Sequence, residues 1–269
     1  MGINLKSLLC FVFWINFTSN LQAQVLPSSF GAYNPSRTVA NSTIVSSGLV
    51  LHLDAGNASS YPGTGTTWAD ISGKGNHGTL ENGPTYSSSN GGSIVFDGVN
   101  DYFKTNNNLD ISNTDKLTIQ IILKTASSRI DMVMEHSENW NQNNAFGIIL
   151  NYQNTTFQFT DHNQGYNTSG HVVTINDNNW HLLSVTTDRS LNGSDQSLFY
   201  IEDNTANKVN IYSNDNSGNF TSHKLYISAR AGSLNFFDGT ISQVLIYDRV
   251  LTVEEIQRNY NAVKVRYGL

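Results

Sequence analysis

Asp97 and Asp101 stand four residues apart within residues 93–104, SIVFDGVNDYFK. Two carboxylates on so short a loop repel unless a cation lies between them, and oxygen ligands of this kind suit a hard cation such as calcium. The competing reading is a tight turn. Ile94, Val95 and Phe96 form a strand, Asp97-Gly98 the hairpin turn and Asp101-Tyr102-Phe103 the return, with both carboxylates solvated. Residues 135–144 carry a different chemistry: Glu135, Asn139, Trp140 and Asn141 combine hydrogen-bonding groups with an aromatic ring that can stack on the apolar face of a sugar. Residues 161–167, with Asp161, His162 and Tyr166, read as a neighbouring rim of the same binding loop. The alternative is that Trp140 folds back as a plug. Trp68 and Trp180, beside apolar neighbours, read as core.

Other chemistries find little support. No G-x-S-x-G elbow occurs, and Cys10, the single cysteine, falls in the first segment, so the remainder has neither disulfide nor thiol. The seven histidines show no H-E-x-x-H or similar spacing and read as polar residues of strands and loops. Fifteen basic residues face 21 acidic ones. An acidic balance argues against nucleic acid and anionic membranes as partners.

The elements that must position these residues are short. Residues 1–23 have one charge, Lys6, then an apolar run from Leu8 to Phe17 and a small residue at Ala23, which is the layout of a secretory signal peptide. Asn16, Thr18, Ser19 and Asn20 interrupt the run too soon for a membrane span. The expected location after cleavage is extracellular or at the cell surface, with no membrane insertion. Residues 24–46 read as a linker or N-terminal arm, and residues 47–269 as one domain. In that domain short alternating segments follow one another. Residues 116–124 place Leu117, Ile119, Ile121 and Leu123 on one face, and further runs are expected at 49–53, 130–135, 145–152, 155–160, 180–187, 197–202, 208–212, 224–230 and 241–247. Many strands at this spacing predict an all-β, two-sheet antiparallel sandwich. Thr252 and Glu255 form a capping box ahead of Ile256 and Tyr260, predicting one short C-terminal helix.

The segment from Gly239 through Ile241, Val244, Ile246 and Tyr247 to Leu251, Thr252, Glu255 and Ile256 resembles the closing strand and terminal helix of laminin G-like and pentraxin-like domains. These belong to the concanavalin A-like lectin and glucanase jelly rolls. Gly48 to Asp54, Trp68 to Leu80 and Phe96-Asp97-Gly98 resemble the opening of the same family, so the likeness runs over roughly residues 46 to 263. It implies the jelly-roll fold and leaves function open, since this scaffold hosts lectins, adhesion modules, enzymes and virion proteins. It further implies a single structural calcium, with Asp54, Asp70, Asn76, Asp97, Asp101 and Asp238 as the oxygen ligands, Asp97 and Asp238 marking two Asp-Gly turns. A pentraxin-type double site is not implied, because the segment from Tyr226 to Gly232 holds Arg230 and no acid. The jelly-roll glucanases present E-I-D-I-x-E on one strand. Here Arg129 stands at the nucleophile position, while Asp131 and Glu135 are expected to share a face at wider spacing. The expected function is a secreted, non-catalytic carbohydrate-binding or adhesion module whose partner is a glycan or other extracellular ligand. A structural or virion-surface protein and, less so, a glycoside hydrolase are the alternatives.

Overall fold

The computed structural model describes residues 43–139, 142–152, 157–162, 166–171, 175–191, 196–202, 204–205, 209–212 and 216–269, with side chains outside 162–171 and 204–212. The signal segment and nearly all of the arm, expected at 1–23 and 24–46, lie outside these residues. Two large antiparallel sheets face one another, one of eight strands and one of nine among the described residues. The expected run at 116–124 is the Lys116–Lys124 strand, at the centre of the eight-stranded sheet between Trp180–Asp188 and Asp238–Tyr247. Leu117, Ile119, Ile121 and Leu123 point into one core with Phe96, Phe103, Phe146, Phe159 and Phe199, contributed by both sheets. Trp68 is fully buried there, edge-on to Phe103 at 5.7 Å, and so is core as expected.

The helix α1, Val253–Tyr267, starts where expected but runs on to Tyr267, and covers the outer face of the eight-stranded sheet. Trp180 packs beneath it against Tyr267, their centroids 5.2 Å apart. The capping box is present: Glu255 N–H donates to Thr252 Oγ1 at 3.3 Å, and Thr252 N–H donates to Glu255 Oε2 at 3.0 Å. Thr252→Ala should therefore cost roughly 1 kcal/mol by orphaning the Glu255 amide, read as a lower urea midpoint at unchanged slope. Glu255 also receives both terminal nitrogens of Arg249 at 2.7 Å. Its loss should exceed that of Thr252; equal losses would show that the Arg249 pair contributes nothing.

The Asp97-Gly98 turn differs from the hairpin reading. Ser93–Asp97 belongs to the eight-stranded sheet and Tyr102–Thr105 to the nine-stranded one, so the turn carries the chain between layers. Asp97 shapes it by accepting the Val99 and Asn100 amides on Oδ1, and Gly98 supplies φ 69°. The Asp238-Gly239 pair, by contrast, is no turn. It opens the Asp238–Tyr247 strand, with Asp238 directly across from Asp97.

Candidate functional site

In antiparallel pairs, residues directly opposite share a face. Thr160, Gly147, Glu135, Tyr226, Lys104 and Thr79 are successive partners across the nine-stranded sheet. Their neighbours Phe159, Ile148, Met134, Ile227, Phe103 and Leu80 form the core row, so the Glu135 row faces away from the core. On this outer face Tyr226 and Tyr102, half-buried, lie 6.3 Å apart, and Phe236 lies 6.5 Å from Tyr102. Gly232 rests against the Tyr102 ring, where a Cβ would meet it at 3.1 Å. Lys104 and Glu81 form a half-buried pair beside them at 3.7 Å.

Glu135 lies at the floor of this face, 1% exposed. Ser137 Oγ donates to its Oε1, while Oε2 has no hydrogen-bond partner of normal geometry. Burial pushes its carboxyl above the usual range, offset in part by Ser137, the Ala231 main chain and the Arg230 charge. Burial also raises the Tyr226 phenol, with Glu138, Tyr102 and Glu135 adding to the shift. The loop that begins at Ser137 thus borders the aromatic face. Glu138 and Asn139 are exposed, and Gln142 Oε1 accepts both of their amides, at 2.7 and 3.2 Å.

The expected ligand residues divide. Glu135 lies at this face and Asn139 in the loop that follows it, whereas Trp140 and Asn141 are outside the described residues. His162 and Tyr166 are paired across strands Phe157–His162 and Tyr166–His171, so the described residues among 161–167 belong to two paired strands, and 163–165 lie outside the described residues. Asp161 lies opposite Phe146, on the core side, and is 1% exposed. There it receives Arg189 Nε at 2.9 Å together with Nη2, while Arg189 Nη1 donates to Asn144 Oδ1 at 3.3 Å and Gly218 O at 3.2 Å. The guanidinium stacks on Phe220 at 3.6 Å. Asp161 is a buried structural anion, because strand parity sends it inward where the sequence suggested a rim.

Parity also separates Asp131 from Glu135. The register shifts at Met132 and Met134, leaving Asp131 opposite the core residue Leu150 and Glu135 opposite Gly147. The extra residue, Val133, is a bulge that puts the two carboxylates on opposite faces, contrary to the expectation that they share one.

The six expected calcium ligands are not brought together. Asp54 is taken up by Arg266 at 2.9 and 3.0 Å and by the Gly56 amide. Asp70 accepts the amides of His52, Ser72 and Asn76 and the Ser72 hydroxyl, and Asn76 Nδ2 donates to Val50 O. Together they cover the edge of the Leu49–Asp54 strand, which would otherwise expose unpaired backbone groups. Asp97, Asp101 and Asp238 lie instead around the interlayer turn, with partners of their own. Calcium requires six to eight oxygens about one point. As one set, these six residues do not fit a single ion, and among the described residues no three acidic or histidine side chains gather as a metal site.

A comparison with curated protein sequences gives no match. Among solved structures, the binding domain of botulinum neurotoxin DC in complex with rat synaptotagmin II is 14% identical, with a TM-score of 0.59 over 80% of this chain and 52% of that one. This chain thus spans about half of the toxin domain. A structure of the same toxin domain in complex with SialylT gives a TM-score of 0.60 at 13% identity, over 81% of this chain and 52% of that one. Domain 4 of AbnA, a GH43 extracellular arabinanase from Geobacillus stearothermophilus, in complex with arabinotriose, is 14% identical with a TM-score of 0.58, over 79% of this chain and 98% of that one. At such identities the likeness is one of fold. A laminin G-type family model, described as the concanavalin A-like lectin/glucanases superfamily, matches residues 97–257, and with the two-sheet sandwich this places the chain in that superfamily.

Proposed function

We propose that the protein is a secreted, non-catalytic module that binds carbohydrate through the outer face of the nine-stranded sheet. The observation that carries this reading is the group of half-buried rings, Tyr102, Tyr226 and Phe236, set beside Glu135 and the exposed Glu138 and Asn139. Rings held at a sheet surface stack on the apolar faces of sugars, and fixed polar groups beside them select hydroxyl patterns. Similar folds solved in complex with arabinotriose and SialylT support a glycan ligand in general.

Tyr226→Ala should weaken binding to an oligosaccharide panel that includes arabinotriose and sialyl-T by roughly 10- to 100-fold, about 1 to 3 kcal/mol. Tyr226→Phe should retain most of it, and the thermal midpoint should hardly move in either variant. Unchanged affinity of Tyr226→Ala for every bound glycan would sink this face as the site. A hydrolase reading draws on Glu135, whose raised carboxyl is of the kind that serves as a general acid. Shortening of a bound oligosaccharide that stops in Glu135→Gln would favour it. Binding that survives Glu135→Gln without any hydrolysis by the wild type favours the module.

A further inference from the structure

The expected calcium ligands fail as a set, yet one end of the sandwich does gather oxygen atoms around a positive charge, and that charge is Arg129. Its Nη2 lies 3.3 Å from Gly98 O, 3.5 Å from Phe236 O, 3.6 Å from Asp131 Oδ1 and 3.8 Å from Asp238 Oδ2. Asp97 is the cross-strand partner of Asp238, and Asp101 Oδ2 accepts the Asp97 amide, so both residues border this end, while only Asp131 and Asp238 place carboxylate oxygens within 4 Å of the guanidinium. Asp131 is 1% exposed, and its Oδ2 has no hydrogen-bond partner of normal geometry. Gly98 makes room for the guanidinium, since a Cβ there would lie 2.2 Å from Nη2.

We propose that Arg129 is the resident cation of this cluster, standing among two carbonyls and two carboxylates where a divalent ion would otherwise sit, so that the domain is stable without calcium. Two observations support the assignment independently of any charge count. Carbonyl oxygens from separate loops, those of Gly98 and Phe236, converge with carboxylates on one nitrogen, as they do on a metal ion. The carboxylate of Asp131, 1% exposed and with no hydrogen-bond partner of normal geometry on Oδ2, also belongs to this shell, its Oδ1 lying 3.6 Å from the guanidinium. A shorter neutral side chain at position 129 leaves the oxygens with no counter-charge and with room to close on an ion.

The test is thermal unfolding of the full chain in millimolar calcium chloride against a chelator. The wild-type midpoint should be the same in both. Arg129→Gln should fall in chelator and recover by roughly 5 °C in calcium chloride, because an ion that binds only the folded state stabilises it by mass action. Arg129→Lys keeps a cation and should stay insensitive to calcium. A wild type that loses stability in chelator overturns the proposal. So does an Arg129→Gln variant whose lowered midpoint calcium does not raise, since Arg129 would then be an ordinary surface ion pair. A Gln variant that folds only in calcium is the strong form of the expected result.

Discussion

Asp161→Ala should lower the stability of the protein by about 3 to 5 kcal/mol and leave intrinsic glycan affinity of the folded fraction unchanged. The cause is the charge left behind. Arg189, its side chain fully buried, would keep only neutral partners in Asn144, Gly218 O and the Phe220 ring. Breaking one half of a buried pair costs more than replacing both halves by apolar groups of similar size. Asp161→Ala combined with Arg189→Met should therefore recover much of the loss, read from urea unfolding of the three variants. The network also sets the base of the loop that borders the aromatic face, through Asn144, and holds Asn216 Nδ2 on Asp161 O at 3.1 Å. A single variant that folds normally but binds glycan poorly would return Asp161 to the ligand rim.

Acid should destabilise the protein through His136. This ring is fully buried, stacked on Phe146 with centroids 5.0 Å apart and hydrogen-bonded from Nε2 to Leu109 O at 2.9 Å. Burial, with the charges of His223 and Arg189, brings its pKa down to about 3. The folded value is below the unfolded value near 6.5, so the unfolded chain takes up the proton first as pH falls. The native state is thus fully favoured above pH 6.5 and loses ground from there down to about 3. At two units below 6.5 the loss from this group is about 3 kcal/mol. His181 acts in the opposite sense: Glu202 and Asp177 raise its pKa, so its contribution is complete below 6.5 and fades as pH rises through the raised value. The buried carboxyls of Glu135 and Asp131, also raised, likewise oppose the His136 slope at low pH. His136→Phe should keep the stacking, lose the Leu109 hydrogen bond at every pH, and flatten the fall in urea midpoint below pH 6.5. A slope equal to that of the wild type would place the acid sensitivity elsewhere.

Much of the fold was legible in the chain itself. Alternation in residues 116–124 determines a strand with one apolar face, and Thr252 with Glu255 determines where the last helix starts, because both signals act between residues close in sequence. The segment from Gly239 to Ile256 carried the superfamily for the same reason, its strand, link and cap being one local pattern. What only the tertiary structure decided was which face, layer or partner each polar residue meets. Asp97-Gly98 has the local chemistry of a hairpin, yet its flanking strands pair in different sheets, since pairing is settled by partners far along the chain. One bulged residue, Val133, reverses parity between Asp131 and Glu135, and a period-two pattern has no means to mark it. Asp54 and Asp70 read as ion ligands only through the family resemblance. Asp54 finds its cation 212 positions away in Arg266, and Asp70 finds backbone amides along an open strand edge. The aromatic face itself was not legible, because Tyr102, Tyr226 and Phe236 come from three separate segments, and only sheet pairing sets their rings side by side.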